Sequence, residues 1–119
     1  MRKIVAILLM LVAASALAAK QLPPVLEKLS TLDIHKVIDA HKPDIDKCVR
    51  EQKKRDPAIG GKMRVRWAIQ PDGSVLYARV ETLEFSKSTV GKCVATAIGK
   101  WKFPKHQVRG SPVEHPFTF

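Results

Sequence analysis

The amino-acid sequence predicts an α+β fold: a two-layer sandwich, helix-strand-strand-helix-strand, with an antiparallel sheet packed on helices. Three observations carry this. Two apolar stripes repeat at helical spacing, one over residues 34–49 and one over residues 90–101. Between them Met63, Val65, Trp67 and Ile69 alternate with Lys62, Arg64, Arg66 and Gln70, the period of a half-buried strand. Pro71-Asp72-Gly73-Ser74 then turns that strand into a second one: proline presets φ, aspartate bonds its own backbone and glycine takes φ > 0. Helices and strands in this order bury their apolar faces best as two packed layers.

The first 18 residues read as an export signal. Arg2 and Lys3 precede an apolar run over 4–12, which decays into Ala13, Ala14, Ser15 and Ala16. Ala16-Leu17-Ala18 fits the small-x-small cleavage rule, so residues 1–18 are expected to leave as a signal peptide. The rival reading, a retained anchor, has only the 16 residues of 4–19, against the ~20 that span a bilayer. No cysteine lies near the cleavage site to carry a lipid. The expected compartment is the periplasm or the cell exterior. Residues 19–29, with Pro23-Pro24, read as a short leader, and 30–119 as one domain.

Ser30-Thr31-Leu32-Asp33 opens the domain as a capping-box-like helix start. Ile34, Val37, Ile38, His41, Ile45, Cys48 and Val49 follow as one stripe. Pro43 cannot donate to the carbonyl of Asp39, so a kink is expected, or a second helix starting at Pro43. Lys53, Lys54 and Arg55 suit a helix C-terminus, and Asp56-Pro57 stops it. After the first strand and its turn, a second strand is expected from Val75 to about Leu83. Its facing is ambiguous: Leu76, Ala78 and Val80 share one side, Val75 and Tyr77 the other. Ser86 or Ser88 caps the second helix, whose stripe is Val90, Cys93, Val94, Ala97, Ile98 and Trp101. Phe103-Pro104 ends it, 105–112 is a basic connection, and 113–119 is a terminal strand that Pro116 restricts to an edge or a bulge.

Removal of Arg2 and Lys3 leaves 19 of the 21 basic residues against 11 acidic ones, a net charge of +8. Such a chain is drawn to anionic partners: membrane surfaces, cell-wall polymers, acidic protein faces. Export and the lack of interleaved exposed aromatics argue against nucleic acid. Cys48 and Cys93 both fall on inward stripes, with 44 residues between them. In an oxidising compartment they are expected to pair, closing a loop worth ~4 kcal/mol on the chain-entropy model. A reactive thiol or a metal ligand has no CxxC partner or histidine neighbour to support it.

Residues for chemistry are few. His35 and His41 are six apart and face different directions, and His106 and His115 have no ligand-spaced neighbours, so no metal is expected. Gly60-Gly61 lacks the spacing of a phosphate loop, and no GxSxG elbow is present. Asp44 and Asp46 diverge on a helix, while Asp39 and Asp44 are expected to pair with nearby lysines. Trp67 and Trp101 fall at core positions. No nucleophile, base and oxyanion donor assemble, so neither an enzyme nor a cofactor is expected.

Gly61-Lys62-Met63-Arg64-Val65-Arg66-Trp67-Ala68-Ile69-Gln70-Pro71-Asp72-Gly73-Ser74-Val75 resembles the first hairpin of TonB C-terminal-like domains. Cys93-Val94-Ala95-Thr96-Ala97-Ile98-Gly99-Lys100-Trp101-Lys102-Phe103-Pro104 is similar to that family's second helix and its Trp-x-Phe/Tyr-Pro ending. The cysteine pair, Ile45-Asp46-Lys47-Cys48 and the final Pro116-Phe117-Thr118-Phe119 are closer to the AgmX/PglI C-terminal variant, a group associated with gliding-motility and envelope machinery. The resemblance covers roughly 34–119. It implies a non-catalytic periplasmic module that binds a segment of an envelope protein or peptide as an added strand on its sheet edge. Carried over, the partner-binding edge is the terminal strand and the connection beside it: Lys105, Val108, Arg109, Val113, His115, Phe117 and Phe119. Energy-transducing members have an uncleaved membrane helix and a long proline-rich spacer; with neither read in this sequence, a free binding module is expected, without stable membrane insertion. Two other readings stand beside it: a cationic binder of anionic envelope polymers, and an edge-to-edge homodimer serving as a structural part of an envelope or motility complex.

Overall fold

Ser30 starts the first helix as its spacing to Asp33 predicts. In the computed structural model, which describes residues 25–119, α1 spans Thr31–Arg55 with Ser30 as its N-cap. The Ser30 hydroxyl accepts from the Asp33 N–H, and the Asp33 carboxylate accepts from the Ser30 N–H, both at 3.0 Å. The Ser30 backbone bond, followed by the bond from its hydroxyl, holds the Asp33 carboxyl below its ordinary value. The expected signal peptide and the first part of the leader lie outside the described residues.

Pro43 does not divide α1. The helix runs unbroken through it, so the second helix that could have started there does not form. The cost of an interior proline is met by exposure on one side and anchoring on the other. Lys42, Pro43 and Asp44 are exposed, so the carbonyl left without a donor can turn to water. Ile38 before the proline and Ile45, Cys48 and Val49 after it are all buried, which fixes both halves to the same core.

The sheet has three antiparallel strands: β1 Lys62–Ile69, β2 Val75–Val80 and β3 Ser111–Thr118, in the order β2-β1-β3. This is the α+β arrangement expected, with β3 at an edge where its prolines are tolerated. The start of β3, at Ser111 rather than residue 113, and the end of β2 differ from the expectation, while the cap of the second long helix is one of the two serines expected. Strand β2 ends at Val80 rather than Leu83, because Leu83–Ser86 winds into a short helix, α2. Ser88, not Ser86, then caps α3, Thr89–Gly99, accepting the Gly91 N–H at 3.0 Å.

One bulge removes the ambiguity in β2. Arg66 pairs with Arg79 and Ala68 with Leu76, so Trp67 faces two residues, Tyr77 and Ala78. The extra residue switches the phase, and Val75 and Val80, five apart, are both buried. Tyr77 takes φ 56 to make the shift, a left-handed conformation that costs a bulky side chain ~1–2 kcal/mol.

Inward side chains of all three strands meet α1 and α3 in one core. Trp67 and Trp101 are each 1% exposed and meet edge to face, ring centroids 6.1 Å apart. Gly73 lets the chain after α3 cross the hairpin: the Phe103 N–H donates to its carbonyl at 2.8 Å, and a Cβ there would strike the Phe103 carbonyl oxygen. Cys48 and Cys93 form the expected disulfide, Cα to Cα 5.7 Å, which joins α1 to α3. Part of the leader belongs to the domain. Leu29 is buried, and Leu26 bridges His106 in parallel. No helix among the described residues is long and apolar enough to cross a membrane.

Candidate binding edge

Among the described residues β3 has a free edge, and which of its groups face outward follows from its pairing with β1. Phe119 and Gly61 exchange both backbone hydrogen bonds, at 2.9 and 3.0 Å. Antiparallel ladders alternate, and the register runs unbroken from Lys62↔Thr118 to Ile69↔Ser111. Ser111, Val113, His115 and Phe117 therefore bond to β1, while Pro112, Glu114, Pro116 and Thr118 direct their backbone groups away from it. Two of those four are prolines. The outer edge thus offers four carbonyls but only two N–H donors, at Glu114 and Thr118.

Helix α1 forms the second wall. A groove between it and β3 holds two hollows of about 180 and 230 Å³. His35 and Ile38 meet Pro112 and His115 in the first; Lys42, Asp46 and Val49 meet Pro116 and Phe117 in the second. The His35 and His115 rings meet edge to face at 5.7 Å, and His115 meets Phe117 at 4.8 Å. Burial, first, and the neighbouring His35, second, push the His115 pKa down, with Asp39 opposing them.

The residues carried over as a partner edge separate into three groups. Val113 and Phe117 are 8% and 7% exposed, so their side chains belong to the core rather than to an edge partner. His115 is half-buried and faces the groove, and Phe119 packs on Phe85 at 5.4 Å. Lys105, Val108 and Arg109 are exposed on the connection before β3. That connection is tied down where the sequence placed only a leader: Gln107 N–H donates to the Leu26 carbonyl at 3.0 Å and Val108 N–H to the Glu27 carbonyl at 3.1 Å. His35, Asp39, Lys42 and Pro112 are groove residues that the sequence does not assign to the edge, His35 reading there only as a lone histidine and Asp39 as an ion-pair partner. Pro112 carried the one usable signal, being four residues before Pro116 and so on the same side of the same strand.

Two further clusters are built differently. Asp44 does not pair with a lysine: its Oδ2 accepts from Trp101 Nε1 and from His41 Nδ1, each at 3.2 Å, and His41 stacks on Trp101 at 5.2 Å. A wider cleft of about 620 Å³ lies beside the disulfide, with Lys47, Lys92 and Lys100 facing Asp44 and Glu51. No group of three His, Cys, Asp or Glu converges among the described residues. The chain matches no family model, no curated protein and no solved structure.

Proposed function

We propose that the chain is an exported, non-catalytic binding module of the periplasm or cell exterior that takes an extended segment of an envelope protein along β3. The observation that carries this reading is the groove itself. A strand edge with unused backbone groups lies along one wall, and a helix carrying apolar and charged side chains along the other. Backbone bonds to the edge give affinity, and hollows under alternate side chains give register. The resemblance to TonB C-terminal-like domains points the same way.

The prolines narrow the mode of binding. A partner can pair fully only at Glu114 and Thr118, so the bound segment is short and its own N–H groups must serve the carbonyls of Pro112 and Pro116. Two copies of β3 laid edge to edge would meet this donor shortage on both sides, which favours a foreign strand over a second copy of the chain. Edge prolines commonly suppress such self-pairing.

Glu114→Pro and Thr118→Pro test the reading without touching a backbone bond to β1, and Glu114→Gln, which also gives up the ion pairs to Arg64 and Arg66 but keeps the edge donor, serves as the control. Crosslinking of the disulfide-bonded protein in an envelope fraction should give an adduct at β3 with the natural chain and lose it with the double variant. Retention of the adduct would rule the edge out. Binding should also persist from low to moderate salt, whereas attraction to a polyanion alone would collapse.

A further inference from the structure

The sheet face turned away from α1 and α3 carries its own pattern. Lys62, Arg64 and Arg66 of β1 lie on it in a row, with Arg79 beside Arg66 across the ladder. Glu81 and Glu114 are the carboxylates among them: Arg64 reaches Glu114 at 3.1 Å, Arg66 reaches Glu81 and Glu114 at 3.3 Å each, and Arg79 reaches Glu81 at 3.7 Å. These guanidinium groups remain 47–66% exposed, and ion pairs so solvated exchange readily for others. Four cations thus meet two carboxylates, and the face is left positive.

Tyr77 projects onto this face from the edge strand β2. It is the one tyrosine of the chain, 82% exposed, in the strained φ of the bulge. Its ring borders a hollow of about 230 Å³ with Arg66, Ala68, Arg79 and Pro112. Glycine or asparagine would take that backbone conformation without the strain, and a polar side chain would avoid exposing a ring. Neither packing nor backbone geometry accounts for a tyrosine here.

We propose that this open face binds a carboxylated polysaccharide, with a sugar ring stacked on Tyr77 and its carboxylates held by Arg66 and Arg79. The charge balance calls for an anion, and guanidinium forks match carboxylates. The backbone groups of β1 are engaged with strands on both sides, so the face offers an extended peptide no ladder bonds. A sugar acid supplies a flat C–H face and a carboxylate fixed to the same ring, whereas an acidic peptide must immobilise flexible side chains to do as much. The proposal rests on Tyr77, Arg66 and Arg79, none of which lines the β3 groove, although Pro112 and Glu114 border both sites.

Calorimetric titration of the disulfide-bonded chain with polygalacturonate, beside polyglutamate of matched charge, tests it. Polygalacturonate should bind the natural chain, and Tyr77→Asn should weaken it about tenfold, the scale of one aromatic anchor removed. Arg66→Gln with Arg79→Gln should weaken it further. Polyglutamate should bind more weakly and without dependence on Tyr77. The melting temperature of Tyr77→Asn should equal or exceed that of the natural chain, which separates lost binding from lost folding. Absence of polygalacturonate binding, or binding insensitive to Tyr77→Asn, overturns the proposal. Polyglutamate binding with equal affinity and equal Tyr77 dependence overturns it too, assigning the face to an acidic protein.

Discussion

Asp44 joins two parts of the chain that are 57 residues apart, accepting Trp101 Nε1 at 3.2 Å while its neighbour His41 covers the Trp101 ring. Asp44→Ala leaves a mostly buried indole N–H without its acceptor, a loss of ~1–2 kcal/mol. Urea denaturation should show a lower midpoint with an unchanged slope. Gly91 opposes helix propensity, which would favour alanine by ~1 kcal/mol. A Cβ there would strike the Phe85 carbonyl oxygen, a backbone atom that cannot swing away. Gly91→Ala is therefore expected to destabilise by ~1–3 kcal/mol, and a gain in urea midpoint would refute the contact. His115 sets a pH dependence. Its folded pKa lies below the ordinary 6.5, so the unfolded chain binds the proton first as pH falls. Stability is full above 6.5 and declines as pH drops toward the folded value. His115→Gln should flatten that acid limb relative to the natural chain, as read from urea midpoints across the range.

At the scale of the element, α1 carries its own liability. Pro43 removes one helical hydrogen bond from an exposed turn while both flanking turns are packed. Pro43→Ala restores the donor and is expected to stabilise by ~1–3 kcal/mol, a rise of several degrees in melting temperature for a domain of this size. In β3 the prolines act outward instead. Pro112→Thr with Pro116→Thr restores two edge donors and should make the chain associate more strongly with concentration in sedimentation than the natural chain does. Helices α1 and α3, the hairpin and the disulfide are legible in sequence because each rests on a local period, a turn residue or two cysteines on inward stripes, whereas the single turn of α2 is too short to show a period. The facing of β2 is not, because one extra residue at Tyr77–Ala78 reverses the alternation, and the only trace of it is Val75 and Val80 five apart. The edge groove is harder still. It depends on where α1 lies against β3, which is set by the Cys48–Cys93 link and by Ile38 and Ile45 in the core, and no local pattern encodes that placement.

For the molecule as a whole, one covalent link secures the helical layer that forms the second wall of the β3 groove. The disulfide spans a sequence separation of 45 and joins helices on which both walls of the core depend. On the chain-entropy model its removal destabilises by ~4 kcal/mol, a large share of the ~5–15 kcal/mol available to a natural domain. Cys48→Ala with Cys93→Ala, and the natural chain under reductant, should lower the urea midpoint by matching amounts. The slope should rise in both, because the released unfolded chain is less compact and exposes more surface. Loss of β3 crosslinking in the reduced form would then follow from the released α1, since β3 keeps its pairing with β1 while the groove loses its second wall. A reduced protein within ~1 kcal/mol of the oxidised one would mean that core packing alone holds α1, and that the link contributes little to the groove.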